Sequence, residues 1–135
     1  MSTRDQPEKL QEVLRSAAQS MFPAEDDDGS VDVNSRSPDG DTPLHVFAWR
    51  GDVASARVLV EASADVNAAG DMGETPLHVA LNQQNEALVR LFVEAGARTT
   101  IRSEFGETAQ DIAQRVGGIF AKLVPVHRGE RRNRR

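Results

Sequence analysis

The chain has 135 residues, enough for one domain, and no cysteine, which excludes a disulfide scaffold and thiolate metal sites. No apolar run approaches the ~20 residues that span a bilayer. The N-terminus is polar and carries acids, unlike a secretory signal or transit peptide, so we expect a cytoplasmic protein without membrane contact.

Charge is divided unevenly along the chain. The overall net charge is −5, but the last ten residues, VHRGERRNRR, hold five arginines and one glutamate and contribute +4. The other 125 residues therefore carry −9. We interpret residues 126–135 as a disordered basic tail on an acidic body, and nucleic acid would be bound only through residues 128–135.

The first predicted element is one amphipathic helix over residues 7–22. Its apolar residues fall on a single stripe at helical spacing, namely Leu10, Val13, Leu14, Ala17, Ala18 and Met21. The acidic loop AEDDDG follows at 24–29. Calcium binding by an EF-hand loop is excluded, because Ala24 and Ser35 would occupy its first and last ligand positions. Residues 1–30 are thus predicted to be a capping helix and an acidic loop, without a metal.

A phrase then recurs every 33 residues. TPLHVFAWRGD at 42–52 is followed by TPLHVALNQQN at 75–85 and TAQDIAQRVGG at 108–118. Gly40, Gly73 and Gly106 are in the same register, and VDVN at 31–34 aligns with ADVN at 64–67 and ARTT at 97–100. A fixed period of this length predicts a repeat architecture.

Each phrase predicts a pair of helices. Thr42 and Thr75 are suited to cap a helix N-terminus, and Pro43 and Pro76 to occupy its first position. In the first unit a short helix from Leu44 to Trp49 ends at Gly51. The apolar side of a second helix follows, formed by Val53, Ala56, Leu59 and Val60. An extended segment and a turn complete the unit over 65–73.

These motifs resemble the ankyrin repeat over about residues 31–124. The resemblance implies an all-α solenoid of stacked helix-turn-helix units with hairpin-like fingers, divided at about 31–66, 67–99 and 100–125, the last being a C-terminal cap. Two departures stand out. Ala109 and Asp111 occupy positions where the family has proline and histidine. Ser63 replaces a glycine, which we expect to strain a left-handed position by ~1 kcal/mol.

The resemblance also implies that His45 and His78 are structural, each bonding to the threonine of its own motif and to the neighbouring finger. Neither has a partner at a spacing that suits a catalytic triad. No phosphate-binding glycine motif is present. We therefore expect no enzymatic activity and no cofactor.

Two features predict a binding surface. Trp49 is the only tryptophan, a residue type that often dominates binding energy, although it could instead pack as edge core. Acids precede each capping threonine in register, and further acids lie near the finger tips. Favourable interaction with the helix dipole explains one acid per finger but not the second. The predicted partner-binding residues are Asp39, Asp41, Trp49, Arg50, Asp71, Met72, Glu74, Asn82, Gln83, Glu104, Phe105 and Glu107.

The sequence therefore predicts a monomeric adaptor that binds another protein through a concave face and finger tips, the partner presenting a basic patch. One alternative is an inhibitor or immunity-type protein that masks a basic effector such as a nuclease. Another is a nucleic-acid-associated regulator that docks through its arginine-rich tail.

Overall fold

The computed structural model describes residues 2–22 and 31–125, and within these ranges the chain is helical without strands. The predicted acidic loop at 24–29 and the tail at 126–135 lie outside the described residues. The helices are α1 (Ser2–Met21), α2 (Pro43–Arg50), α3 (Val53–Glu61), α4 (Pro76–Asn82), α5 (Glu86–Glu94), α6 (Ala109–Val116) and α7 (Ile119–Leu123). A single 3-10 turn covers Asp71–Gly73.

Helices α2 to α7 form two layers. The inner helices α2, α4 and α6 pack side by side, the outer helices α3, α5 and α7 do the same, and each inner helix packs on the outer helix that follows it. The core between the layers is apolar and contains two fully buried aromatic rings, Phe47 and Phe92. This arrangement confirms the predicted all-α stack of helix-turn-helix units.

Helix α1 covers the open end of the stack, where it contacts both α2 and α3. Leu14, Ala17 and Met21 are buried there, as the apolar stripe predicted. The helix begins at Ser2, five residues before the predicted start. The sequence missed this extension because residues 2–6 contain no apolar residue that continues the stripe.

Each inner helix is followed by a residue with positive φ. Gly51 has φ 73° and Gly117 has φ 76°, and between them in register Gln84 has φ 55°. The turns are not identical, because ψ is 22° at Gly51 and −162° at Gly117. Helix α2 extends one residue beyond the prediction at each end.

Three fingers precede the inner helices, and each is closed by the same hydrogen bond. The N–H groups of Ser37, Gly70 and Ser103 donate to the carbonyls of Asp41, Glu74 and Glu107 at 2.8, 2.8 and 2.9 Å. A Cβ on Gly70 would overlap the Asp41 carboxylate and approach His45 Nε2 to 2.8 Å. The second finger thus packs so closely on the first repeat that only glycine fits.

Histidine joins each of the first two inner helices to the following finger. His45 Nδ1 accepts the N–H of Thr42 at 3.1 Å, while its Nε2 donates to the Glu74 carbonyl at 2.8 Å. His78 repeats both bonds with Thr75 and the Glu107 carbonyl, at 3.1 and 3.0 Å. Both carbonyls accept a second bond from the N–H that closes their own finger.

The third repeat needs only one of these two bonds. Asp111 replaces the histidine, and its carboxylate accepts the N–H of Thr108 at 3.0 Å. No further finger follows in the described chain, so a second bonding atom would have no carbonyl to reach. Asp111 therefore makes the one bond of this pair that the described residues allow.

Ser63 has φ 71°, which confirms the predicted left-handed backbone at this position. Its equivalent one repeat later is Gly96, with φ 92° and open space where a Cβ would lie. The two positions therefore need the same conformation, and the first repeat meets it with an unfavourable residue.

Exchanging serine and glycine at these positions should change stability in opposite directions. We expect Ser63→Gly to raise the free energy of unfolding by about 1 kcal/mol and Gly96→Ser to lower it by a similar amount, because a side chain at positive φ is strained. Urea titration followed by circular dichroism measures both. Changes of the same sign in the two variants would contradict this account.

Candidate partner-binding surface

The tips of the three fingers expose one residue each at the same register position. These are Asp39, Met72 and Phe105, which lie 33 residues apart. The side chains of Met72 and Phe105 are 48% and 66% exposed, unusual values for large apolar residues. Met72 also has φ 60°, and its carbonyl accepts the N–H of Glu104 at 2.9 Å. The second and third tips are therefore held together through the backbone.

Each finger tip also carries an acidic residue. The side chains of Asp39, Asp71 and Glu104 are exposed, and their carboxylates make no hydrogen bond or ion pair with any residue in the described ranges. Nothing inside the described fold uses these charges.

The acids at the finger bases are more enclosed, and two of them have structural roles. Asp41 Oδ1 accepts the N–H of Asp71 at 2.8 Å, which links the first and second fingers. Glu107 forms an ion pair with Arg115 at 3.1 Å. Burial raises the pKa of the third acid, Glu74, and the neighbouring acids, among them Asp71, raise it further, while His78 opposes the shift. The acids thus lie close enough to interact, as the repeat register predicted.

Trp49 lies on the exposed side of α2 and is 52% exposed. It borders a groove of about 240 Å³ between the first finger, α2 and the end of α1. The groove is lined by Ser20, Met21, Ser37, Asp39, Asp41, Val46, Trp49 and Arg50. We use the name finger face for one surface. It includes this groove, the exposed side of α2 and α4 at Trp49 and Asn82, and the three finger tips.

Two other predicted binding residues make bonds between helices. Arg50 donates to the hydroxyls of Ser16 and Ser20 on α1 at 2.8 and 2.6 Å, and its guanidinium lies 5.0 Å from the centre of the Phe47 ring. Gln83 donates to the carbonyl of Trp49 at 3.0 Å. Asn82 is exposed on α4. Arg50 and Gln83 therefore stabilise the stack, and their role in binding stays a prediction.

Sequence reasoning missed the contribution of α1 to this surface. Ser20 and Met21 form one side of the groove, and Ser16 and Ser20 hold Arg50. The signal was present as two serines four residues apart beside the apolar stripe, which places both hydroxyls on one side of the helix. What the sequence could not supply is the position at which the end of α1 meets α2.

Neither structural histidine offers a nitrogen for catalysis. Nδ1 of each ring accepts a backbone N–H and Nε2 faces a backbone carbonyl, to which it can only donate, so this bonding requires a proton on Nε2 and none on Nδ1. Burial of the His45 ring lowers its pKa below the ordinary 6.5, although the Glu74 carbonyl and the Asp41 carboxylate oppose this shift.

The lowered pKa of His45 should make the fold less stable in mild acid. Between pH 6.5 and the folded-state pKa the unfolded chain binds more protons, so this contribution is full above 6.5 and is lost as the pH falls through that window. Glu74 acts in the opposite sense: because its pKa is raised, the folded chain binds more protons between the folded-state pKa and the ordinary 4.5, and stability is gained as the pH falls through that window.

Long-range ¹H–¹⁵N NMR measures the tautomer and the titration of His45 directly. We expect the Nε2–H form and a midpoint below 6.5. A midpoint above 6.5, or a proton on Nδ1, would contradict the bonding described here.

The remaining described residues offer no other obvious site. Across residues 2–22 and 31–125, no three His, Cys, Asp or Glu side chains are grouped so that they could hold a metal ion. None of the described helices is long and apolar enough to cross a membrane.

Comparison with known proteins supports the repeat architecture. A family model described as ankyrin repeats (3 copies) matches residues 8–103, from α1 to the third finger. No curated protein matches the chain.

Proposed function

We propose that this chain, which belongs to the ankyrin-repeat family, binds another protein through its finger face and that the partner presents a basic patch there. Ankyrin repeats generally mediate protein–protein interaction and are typically non-enzymatic. The observation that carries the proposal is a group of exposed carboxylates, without bonds to other described residues, beside exposed apolar side chains on one face.

The character of this face changes along the stack. The equivalent tip residue is an acid in the first finger, Asp39, and apolar in the second and third, Met72 and Phe105. Arg115 also neutralises Glu107 at the base of the third finger, although Glu104 at its tip has no ion pair within the described residues. A partner with basic residues facing the first finger and an apolar residue facing the third would therefore bind in a single orientation.

The fingers are also fixed before binding. Asp41, Met72 and the two histidines connect successive fingers or helices by hydrogen bonds that need no partner. A surface of fixed geometry loses little conformational entropy on association, so its contacts contribute more fully to affinity. The exposed acids would speed the encounter with a basic protein and reject acidic competitors.

Reversing the charge of two tip acids tests the proposal. Asp71→Lys/Glu104→Lys replaces carboxylates that have no partner in the described fold, so folding should be preserved. We expect the partner to associate at least about tenfold more slowly, because steering would be lost. The matched control is Glu61→Lys/Glu94→Lys, which makes the same charge change at the exposed ends of the outer helices α3 and α5.

The partner is captured from a lysate of the source cells, identified by mass spectrometry and then measured by surface plasmon resonance. Slower binding by the tip variant alone supports the finger face. If both variants bind like the wild type and only removal of residues 128–135 abolishes binding, the tail is the binding element and the proposal is wrong.

A further inference from the structure

The groove beside Trp49 has the size of a site for one side chain. Its volume of about 240 Å³ lies below the ~300–1,000 Å³ of typical small-molecule pockets. It opens on the finger face, between the first finger and the end of α1. A residue that projects from a protein bound to this face could enter it.

We propose that this groove receives one positively charged side chain, an arginine or lysine of the protein partner. The inference deepens the proposed function and rests on it. Three features of the lining support a cationic occupant: an aromatic wall, two carboxylates and an apolar base.

The aromatic wall is Trp49, whose side chain is half exposed toward solvent. The face of an indole ring attracts ammonium and guanidinium groups more strongly than other aromatic rings do. An apolar occupant would also contact Trp49, but it would bury the neighbouring carboxylates without a partner, which is unfavourable.

The two carboxylates are Asp39 and Asp41. The carboxylate of Asp39 has no bond to a described residue, and Asp41 uses Oδ1 for the N–H of Asp71. At least three carboxylate oxygens therefore have no bonding partner in the described fold. A guanidinium or ammonium group supplies the donors that these oxygens lack.

The apolar base consists of Met21 and Val46. Lysine and arginine carry a long aliphatic stem, and they commonly bury it against apolar surface while the charged group meets acids. Arg50 also borders the groove, but its guanidinium is engaged with Ser16, Ser20 and the Phe47 ring. The positive charge of Arg50 is thus already bound at this end of α2, on the side of α1.

The groove can be tested without knowing the partner. Trp49 is the only tryptophan and the chain has no tyrosine, so fluorescence excited at the indole band reports this groove alone. The probes are the capped tripeptides acetyl-Gly-Arg-Gly-amide and acetyl-Gly-Lys-Gly-amide. The control is the citrulline analogue of the arginine peptide, which keeps its shape without the charge.

We expect a saturable change in Trp49 emission with the arginine or lysine peptide, with a Kd on the order of 1 mM, and none with the citrulline peptide. Asp39→Asn should weaken binding about fivefold, as expected for loss of one exposed charge pair. Glu94→Gln, which removes an acid from the far side of the molecule, should leave it unchanged.

Three results would overturn the proposal: no saturable change with either cationic peptide, an equal response to citrulline, or an equal effect of Asp39→Asn and Glu94→Gln. A fourth concerns the chain's own tail. If the cationic peptides bind only when the five arginines of residues 126–135 are replaced by glutamine, the tail is the occupant.

The test also separates this inference from the proposed function. If a partner depends on the tip acids but the peptides do not bind the groove, only the groove assignment fails. If the peptides bind the groove but no protein depends on the tip acids, the proposed function fails.

Discussion

One hydrogen bond, donated by a buried histidine to the backbone carbonyl of the next finger, holds successive repeats in register. His45 and His78 each connect the N-terminus of their own helix to a finger 29 residues further along. The carbonyls that they reach also close those fingers, so both lone pairs of Glu74 and Glu107 carbonyl oxygens are used. A neutral imidazole suits this position because it offers one acceptor and one donor on opposite sides of a rigid ring.

The proposed binding surface consists mainly of groups that this framework leaves unused. Asp41 and Glu107 are occupied by Asp71 and Arg115. The side chains at the tips have no such role, and there the chain places acids and large apolar residues. Helix α1 adds the remaining wall, since it caps the core and also completes the groove at Trp49. The tip side chains proposed for recognition are thus separate from those that stabilise the fingers, whereas Asp41 both links two fingers and lines the groove.

Much of this fold could be predicted from the spacing of a few residues. The 33-residue period, the capping threonines and the stripe on α1 predicted the stack and its N-terminal cap. Ser63 was predicted to be strained because it replaces a glycine, and its positive φ confirms this. The positive φ of Gln84 could not be predicted, since nothing in the chemistry of glutamine indicates a left-handed conformation.

The contacts between separate elements could not be predicted in the same way. The bond from Asp41 to Asp71 and the bonds from Arg50 to α1 depend on how repeats and cap dock, which a periodic pattern does not specify. The same holds for the groove, half of whose lining was not among the predicted binding residues. Placement of the acids in one interacting group did follow from the register alone, because equivalent positions of stacked repeats must lie side by side.

Amide hydrogen exchange at the fingers tests most directly whether the histidine bonds fix this surface. In the wild type, the N–H groups of Gly70 and Ser103 should both be protected. In His45→Asn, whose oxygen can take the Thr42 N–H but whose side chain is too short to reach Glu74, exchange at Gly70 should rise about tenfold, consistent with loss of one hydrogen bond. Ser103, which belongs to the finger held by His78, should keep its protection. Equal exchange at Gly70 in both proteins, or unprotected fingers in the wild type, would contradict the account.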